Sequence, residues 1–333
     1  MSATFTVGLN DVIEARRRIE PFMHDTPVLV SEGLDLRSGR HLLFKCENLQ
    51  RSGSFKFRGA CNAVMNLRAA DAARGVVTGT GGNHAQALAL AARLRRSKAH
   101  VILTRNAPPL VRQAVAELGA EIVECGPSRA AEQHAAAEVL ARTGGTFIPA
   151  GDHPDVIAGQ GTIAIELADQ VGRVDAIVAP QGGGGLLAGV SIAARAVNPR
   201  VRLFAAVPKN SLGPGLAGDG ESRSGELTTP ILERHVERIL MVSDDEVVAA
   251  MRLVWEHMRI LIEPMSAAAV AAVLTHEFRG LLGINRVAVV LTGGNVDLTS
   301  LPWQRVRQTP SLVRMPVPRV EAPRRFALGG SRP

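Results

Sequence analysis

The sequence predicts an α/β fold in which helices flank parallel β-sheet. Short apolar runs rich in β-branched residues alternate with alanine-rich segments of helical periodicity, and this alternation is typical of strand–helix–strand units. Three of the apolar runs are followed by glycine-rich turns, which commonly lead from a strand into a helix. The 333 residues and the 46 % hydrophobic content allow a large core, leave room for two domains and exclude global disorder.

The predicted elements follow one another along the whole chain. Strands are predicted at residues 28–30, 42–46, 76–78, 100–103, 121–124, 176–179, 203–207 and 287–291. The clearest helical patterns cover residues 84–95, 110–118, 132–142 and 244–258. The segment 209–229 is rich in Gly, Ser and Pro, and we predict a surface excursion there.

The net charge of +7 is concentrated at the C-terminal end. Residues 305–333 contain seven arginines and one acid, Glu321, so the rest of the chain is close to neutral. This tail is rich in proline, and we expect it to be poorly ordered. The remainder has no basic stripe with interleaved aromatic residues, so platforms for stacking bases are scarce. We therefore predict no nucleic-acid partner.

Composition also bounds the cellular compartment. No apolar run approaches the ~20 residues of a membrane-spanning helix, and the first residues mix acids with arginines, unlike a signal peptide. The three cysteines, Cys46, Cys61 and Cys125, are sparse, odd in number and not in a metal-binding spacing. We therefore expect a cytoplasmic protein without membrane attachment or disulfide framework.

The glycine-rich turns are candidate anion sites. They lie at residues 79–84, 182–185 and 292–295, each after an apolar strand and each predicted to precede a helix. Glycine lets a ligand approach the backbone, and the unpaired amides of a helix N-terminus attract a negative group. One such turn is equally well an ordinary tight connection, but three in one chain favour a ligand. None matches the P-loop or the dinucleotide fingerprint, which disfavours an NTPase and a standard NAD enzyme.

Lysine is rare, so each lysine is informative. The chain has four, Lys45, Lys56, Lys98 and Lys209, against 34 arginines. Lys56 lies between two phenylalanines where a polar turn enters a predicted helix. An apolar pocket at a helix N-terminus disfavours the ammonium form and prepares a lysine for Schiff-base chemistry. The spacing alone leaves open a solvated or snorkelling lysine.

Five segments together resemble the serine/threonine dehydratase and serine racemase family of fold-type II pyridoxal 5'-phosphate enzymes. They are ENLQRSGSFKFRGA at 47–60, GNHAQ at 82–86, DVIAGQGT at 155–162, GGGGLLAG at 182–189 and TGGNVD at 292–297. The resemblance implies a two-domain fold like that of the tryptophan synthase β chain. It places a large cofactor-binding domain at residues 1–70 and 150–304 and a small mobile domain at 71–149. It also implies a homodimer or homotetramer.

The resemblance assigns roles to single residues. Lys56 would bind pyridoxal phosphate covalently and then act as the base at the substrate Cα. The other implied cofactor contacts are Phe55, Asn83 at the ring hydroxyl, Thr292 at the pyridine nitrogen, and the phosphate-binding amides of Gly182, Gly183, Gly184 and Gly185. The implied substrate contacts are Thr80, Gly81, Gly82, Asn83 and His84 at the carboxylate, and Ala150 near the β-carbon.

The implied reaction is loss of water from a β-hydroxy-α-amino acid of the serine or threonine type, giving a 2-oxo acid and ammonia. Thr292 is a neutral partner for the pyridine nitrogen, so the electron sink is weak, and such a site favours prompt loss of a β-substituent. A β-replacement synthase and an amino-acid racemase are alternatives within the family. A non-catalytic homologue is a further alternative, which the intact Lys56 disfavours.

Three positions depart from the family pattern. Racemase-like members carry a serine as a second acid/base where Gly81 stands, which weakens the racemase interpretation. Metal-binding members place a glutamate where Val207 stands, so we predict no divalent metal at that position. Ala150 replaces a larger residue of many dehydratases and predicts room for a substrate bulkier than serine or threonine, unless a neighbour fills the space.

Overall fold

The computed structural model describes residues 6–209 and 224–304, which form two β-sheets with helices packed on their faces. The predicted α/β class is confirmed. The predicted basic tail at 305–333 and most of the predicted excursion at 209–229 lie outside the described residues.

Ten strands form the sheets in the part of the chain that the structure describes. They are β1 (Val28–Leu29), β2 (His41–Lys45), β3 (Val76–Gly79), β4 (Ala99–Thr104), β5 (Glu121–Cys125), β6 (Thr146–Phe147), β7 (Ala176–Pro180), β8 (Arg202–Pro208), β9 (Arg238–Val242) and β10 (Arg286–Val290). All eight predicted strands are confirmed, with ends displaced by one residue at most. Two strands are not predicted from the sequence: β6, which is too short to show a pattern, and the edge strand β9.

The helices fill the connections between the strands. They are α1 (Leu9–Ile19), α2 (Glu32–Ser38), α3 (Lys56–Asn66), α4 (Ala69–Arg74), α5 (Asn83–Arg95), α6 (Pro109–Glu117), α7 (Arg129–Thr143), α8 (Pro154–Val171), α9 (Gly185–Val197), α10 (Thr228–His235), α11 (Asp244–Met258), α12 (Pro264–Leu274) and α13 (His276–Arg279). The four predicted helices are confirmed as α5, α6, α7 and α11.

The larger sheet has six strands in the order β1-β2-β10-β7-β8-β9. Its strands are parallel except for β1, which pairs antiparallel with β2. The pairing of β2 with β10 runs in register from His41 beside Arg286 to Lys45 beside Val290. The N-terminal and C-terminal parts of the described chain therefore meet in the middle of one sheet.

The smaller sheet has four parallel strands in the order β5-β4-β3-β6. All of its strands lie between residues 76 and 147, within the segment 71–149 that the sequence analysis assigns to a small mobile domain. The exact domain boundaries and the mobility remain predictions.

Both faces of the larger sheet are covered by apolar helices. Along β7, Ala176 and Val178 pack in the core cluster that includes α11 and α12, whereas Ile177 and Ala179 pack in the cluster that includes α8 and α9. Strands buried on both faces are nearly continuous in apolar residues, which is why β7 and β10 are readable in the sequence. Helix α12 is almost wholly buried in this core. Within the described ranges, no helix is long and apolar enough to cross a membrane.

Helices α8 and α9 pack with their backbones in contact. A Cβ on Gly189 of α9 would overlap the carbonyl oxygen of Ile157 in α8, and a Cβ on Gly161 would lie 2.9 Å from the carbonyl oxygen of Gly189. A side chain at either position would force the helices apart. This contact bears on the site because α9 begins at the second glycine turn. The packing of α9 against α8 therefore sets the position of that turn.

We expect Gly189→Ala to destabilise the protein. Helix propensity alone favours Ala by about 1 kcal/mol, but overlap with the α8 backbone should reverse the sign and lower the free energy of unfolding by about 1–3 kcal/mol. Denaturant unfolding measures this change. The matched control is Gly280→Ala, because Gly280 has a φ of −75° and a Cβ there would have its nearest neighbour 3.4 Å away. A Gly189→Ala protein as stable as wild type would contradict the packing argument.

Candidate active site

The glycine-rich turns lie at the carboxyl ends of β3, β7 and β10. The first leads from β3 into α5 at Asn83, and the second leads from β7 into α9 at Gly185. Ligands of parallel α/β sheets bind at the carboxyl ends of the strands. The third turn corrects the sequence analysis, because no helix follows it within residues 292–301. Instead, it folds against the segment that carries Lys56, through an antiparallel bridge between Ser54 and Gly293.

Lys56 is the first residue of α3, and the backbone before it is fixed by the third turn. The amide of Phe55 donates to the carbonyl oxygen of Thr292 at 3.0 Å, and the amide of Gly294 donates to the carbonyl oxygen of Gly53 at 3.0 Å. The two predicted residues Lys56 and Thr292 are thereby brought together from opposite ends of the chain.

The Lys56 side chain is half-buried and points toward the segment that joins β6 to α8. Its Nζ donates to the backbone carbonyl oxygen of Ala150 at 3.0 Å and lies 5.4 Å from the centroid of the Phe55 ring. Ala150 was predicted as a small side chain beside the substrate. The structure adds a backbone contact that the sequence could not show, since any residue at position 150 supplies that carbonyl.

The second glycine turn offers free hydrogen-bond donors. Within the described residues, no hydrogen bond uses the backbone amides of Gly182, Gly183, Gly184 and Gly185. A Cβ on Gly185 would lie 2.7 Å from the carbonyl oxygen of Gly151, so only glycine allows this close approach. Amides without partners at a helix N-terminus suit a phosphate group, and the turn therefore fits the phosphate of pyridoxal phosphate.

Asn83 is held by a chain of polar side chains. Its Nδ2 donates to both carboxylate oxygens of Glu263, at 2.9 and 2.8 Å, and its Oδ1 accepts from Nδ2 of Asn295 at 2.7 Å. The same Nδ2 of Asn295 donates to the carbonyl oxygen of Ser52 at 2.9 Å. A carboxylate and a carbonyl oxygen can only accept hydrogen bonds. The Glu263 carboxylate and the Ser52 carbonyl oxygen, at the two ends of this hydrogen-bonded series, therefore fix the orientation of both side-chain amides.

The sequence analysis assigned no role to Glu263 or Asn295 in holding Asn83. Glu263 immediately precedes α12 and is far from Asn83 in the sequence, so no local pattern indicates the contact. Asn295 lies inside the third glycine-rich motif, which was the available signal.

The loop between β3 and α5 combines buried polar groups with open space. The hydroxyl of Thr80 is buried without a hydrogen-bond partner among the described residues, and so is that of Ser54 beside Lys56. His84 is buried, with Nε2 at 3.1 Å from the carbonyl oxygen of Ile148, a contact that braces the loop. A Cβ on Gly81 would meet only the Cβ of Ala107, at 3.9 Å, so the loop has room for a side chain at that position.

Asp152 connects the turn after β6 to the second glycine turn. Its Oδ1 accepts from the amides of Leu227 and Thr228 at 3.0 Å each, at the start of α10. The Thr228 hydroxyl donates to the carbonyl oxygen of Gly183 at 3.3 Å. No group of three or more His, Cys, Asp or Glu side chains in the described ranges could hold a metal ion. The predicted absence of a divalent metal near Val207 stays a prediction.

The two cysteines near Lys56 are unsuited to nucleophilic chemistry. Burial raises the pKa of the Cys46 thiol to about 12 and that of the Cys61 thiol to about 12. The thiolate is the reactive form, so both side chains act as small apolar groups in the core.

We expect Cys46 and Cys61 to resist an aromatic disulfide reagent at pH 8 in the folded protein, because about one thiol in 10⁴ is ionised that far below its pKa. A Cys125→Ser variant removes the third thiol, so any rapid absorbance change would come from this pair. Unfolding in guanidinium should release the signal of two thiols. Rapid labelling of the folded variant would contradict the raised pKa values.

Comparisons with known proteins agree with this geometry. The family described as pyridoxal-phosphate dependent enzyme matches residues 19–293. Serine racemase of Dictyostelium discoideum is 40 % identical over 319 residues, which cover 90 % of this chain and 98 % of that protein. The beta-hydroxyaspartate dehydratase of Paracoccus denitrificans is 41 % identical over 311 residues, which cover 88 % of this chain and 98 % of that protein.

Solved structures give the same result. The crystal structure of the Dictyostelium discoideum serine racemase superimposes with a TM-score of 0.84 at 40 % identity, covering 88 % of this chain and 100 % of that one. The T.th. threonine deaminase superimposes with a TM-score of 0.80 at 36 % identity, covering 87 % of this chain and 99 % of that one. The chain therefore belongs to the pyridoxal-phosphate dependent enzymes and has their fold-type II architecture, as the sequence analysis predicts.

Proposed function

We propose that the protein is an ammonia-lyase that removes water from a β-hydroxy-α-amino acid, giving a 2-oxo acid and ammonia. The observation that carries this proposal is that Lys56 is available as a base, whereas position 81, where a second base would stand, is a glycine. Lys56 supplies one base at the start of α3, whereas Gly81 has no side chain to exchange a proton from the other face. Elimination requires one base at Cα, and racemisation by two bases requires a second.

The residues around Lys56 fit pyridoxal phosphate. The free amides of the turn 182–185 would bind its phosphate, Phe55 would pack beside the ring, and the Asn83 amide, held by Glu263, would donate to the ring hydroxyl. Thr292, which is adjacent to Lys56 through the Phe55 amide, would face the ring nitrogen. When bound, the cofactor supplies an aldehyde for attachment of amines and a ring that withdraws electrons from Cα.

The substrate carboxylate would bind at the loop formed by Thr80, Gly81, Gly82, Asn83 and His84. This loop enters the N-terminus of α5, where unpaired amides and the helix dipole favour an anion. The buried Thr80 hydroxyl offers a further hydrogen bond, and His84 keeps the loop in place through Ile148.

Lys56 would take the Cα proton and return it to the departing β-hydroxyl, which leaves as water. The enamine that is released would hydrolyse to the 2-oxo acid and ammonia. The carbonyl oxygen of Ala150, 3.0 Å from Nζ, would hold the amine in position between these events. The neutral Thr292 hydroxyl favours early loss of the β-substituent, since it does not stabilise a protonated ring nitrogen as a carboxylate would. We also propose that the unit 71–149 moves toward the larger sheet when substrate binds.

A racemase is the second candidate. The names of several relatives favour it over the lyase, because the similar proteins of Dictyostelium discoideum, Arabidopsis thaliana and human, at 38–41 % identity, are serine racemases. A dehydratase at 41 % identity supports the lyase. Gly81 is the position that separates the two, and its open surroundings make the distinction testable by substitution.

We expect the wild-type protein to release ammonia and a 2-oxo acid from one member of a panel of both enantiomers of serine, threonine, 3-hydroxyaspartate and phenylserine. Lys56→Ala should lose this activity by at least about 10³-fold, since it removes the base. Chiral chromatography of the remaining substrate detects racemisation in the same reactions. Interconversion of enantiomers by wild type without ammonia would establish the racemase instead.

Gly81→Ser provides the matched test of the second base. The side chain fits the space beside Ala107, so folding and cofactor binding should be retained. We expect the variant to gain racemisation of its substrate at least about tenfold over wild type. An unchanged ratio of racemisation to elimination would remove Gly81 as the reason for preferring the lyase.

Chelation tests the predicted absence of a divalent metal. Dialysis against EDTA should leave the thermal midpoint and the ammonia release unchanged, because Val207 provides no carboxylate where metal-binding members have one. A loss of activity that Mg²⁺ or Ca²⁺ restores would show that other residues bind a metal.

A further inference from the structure

Four charged side chains are buried together next to α3, and the proposed reaction uses none of them. Arg58, Glu47 and Lys45 are each 0 % exposed, and Glu166 is 8 % exposed. They form three salt bridges, Lys45–Glu166, Arg58–Glu47 and Arg58–Glu166, and their formal charges cancel. Because burying charges is costly unless they are paired and hydrogen-bonded, such a cluster calls for a structural or functional reason.

Arg58 is the centre of this buried cluster. Its Nε donates to Oε2 of Glu47 and its Nη2 donates to Oε1 of Glu47, both at 2.7 Å. Nη1 donates to Oε2 of Glu166 at 2.9 Å and to the Thr162 hydroxyl at 3.2 Å, and Nη2 donates to Oε1 of Glu166 at 3.1 Å. All five N–H groups of the guanidinium are thereby used. Bidentate pairs of this kind define the relative geometry of the two partners.

Arg58 and Glu166 keep their charges despite burial, whereas burial lowers the pKa of Lys45. Burial alone would lower the pKa of the Arg58 guanidinium, but the carboxylates of Glu47 and Glu166 outweigh it, and the pKa is raised. Burial likewise opposes ionisation of Glu166, but Arg58 and Lys45 lower its pKa below the ordinary value. Removing one carboxylate would therefore weaken a true ion pair.

The two carboxylates hold different parts of the protein. Glu47 and Arg58 are the two ends of the segment 47–58, which carries Lys56, so their pair closes this segment on itself. Glu166 lies in α8 and also pairs with Lys45 of β2 at 2.5 Å, so it connects the cluster to the surrounding scaffold.

The closed segment has a conformation that needs external support. Ser52 has a φ of +60° and Gly53 a φ of +73°, so two consecutive residues are left-handed, one of them with a side chain that disfavours it. Beyond this turn, Lys56 is two residues from the guanidinium that anchors the segment. A shift of the anchor would move Lys56 relative to Thr292 and the second glycine turn.

We propose that Glu47 is a positioning residue for the cofactor lysine: its bidentate pair with Arg58 closes the segment 47–58 and sets the position of Lys56. Glu166, which pairs with the same guanidinium, ties the cluster to α8 and contributes to stability without setting that position. The proposal rests on the proposed role of Lys56 as the residue that binds pyridoxal phosphate.

The test compares Glu47→Gln with Glu166→Gln. Both changes keep the side-chain shape and remove one negative charge from the same guanidinium. We expect both to lower the thermal midpoint of the cofactor-free protein. Glu47→Gln should also raise the Kd for pyridoxal phosphate about tenfold, because a displaced lysine binds poorly, whereas Glu166→Gln should change it less than about twofold. Titration of the visible absorbance of the bound cofactor measures the Kd.

A second pair without charge changes covers the case in which the glutamine variants do not fold. The Thr26 hydroxyl donates to Oε1 of Glu47 at 2.6 Å and makes only a longer contact, 3.4 Å, with Oε1 of Glu166. The Thr162 hydroxyl accepts from Arg58 on the α8 side. Thr26→Val should weaken cofactor binding about threefold, and Thr162→Val should leave it unchanged. Equal effects of the two members of either pair on the Kd, or an unaltered Kd in Glu47→Gln, would overturn the proposal.

The proposed function fails in a different way. If wild type did not bind pyridoxal phosphate, or if Lys56→Ala still attached it covalently after borohydride reduction, the role of Lys56 itself would be wrong. Normal binding by wild type together with equal behaviour of the Glu47 and Glu166 variants would instead reject only the positioning role.

Discussion

Two backbone hydrogen bonds hold the segment that carries Lys56 against a distant part of the chain. They join Phe55 to Thr292 and Gly53 to Gly294, so the turn that carries the lysine and the turn after β10 form one unit. Neither partner belongs to a β-strand or an α-helix, although Gly53 ends a single 3₁₀ turn at Arg51–Gly53. The isolated bridge between Ser54 and Gly293 is their only ladder contact in the described chain. The remaining anchors, from the α3 N-terminus to the buried guanidinium of Arg58, act on this unit.

Electrostatics organises the cleft through groups that can only accept hydrogen bonds. The carboxylate of Glu263 and the carbonyl oxygen of Ser52 are the two ends of the hydrogen-bonded series through Asn83 and Asn295. The side-chain amide of Asn83 therefore has one permitted orientation. The second glycine turn has the opposite character, since its amides are donors without acceptors among the residues that the structure describes. The second glycine turn therefore keeps its amides available for an anion, whereas the orientation of the Asn83 side chain is set by neighbouring residues.

The sequence predicted the parts of this architecture that are encoded locally. Strands such as β7 and β10 are continuous apolar runs. The flanking phenylalanines and the polar turn made Lys56 a candidate, but its role was predicted only from the resemblance of the segment 47–60 to the family motif. The contacts that complete the site join residues far apart in sequence, such as Asn83 with Glu263 and Lys56 with Ala150. No periodicity or turn signal reports such contacts. The third glycine turn shows the same limit, because its backbone was expected to enter a helix and instead pairs with the lysine segment.

The strand order has a consequence for how the protein forms on the ribosome. The smaller sheet is built from residues 76–147 and can assemble as soon as they emerge, whereas β2 waits for β10, close to the end of the described chain, to complete its parallel pairing. Non-local parallel pairings are slow to form and expose open strand edges meanwhile. Lys56, which follows β2 closely, is thus synthesised early, but the contacts of its segment with Thr292 and Gly294 can form only after β10 has emerged.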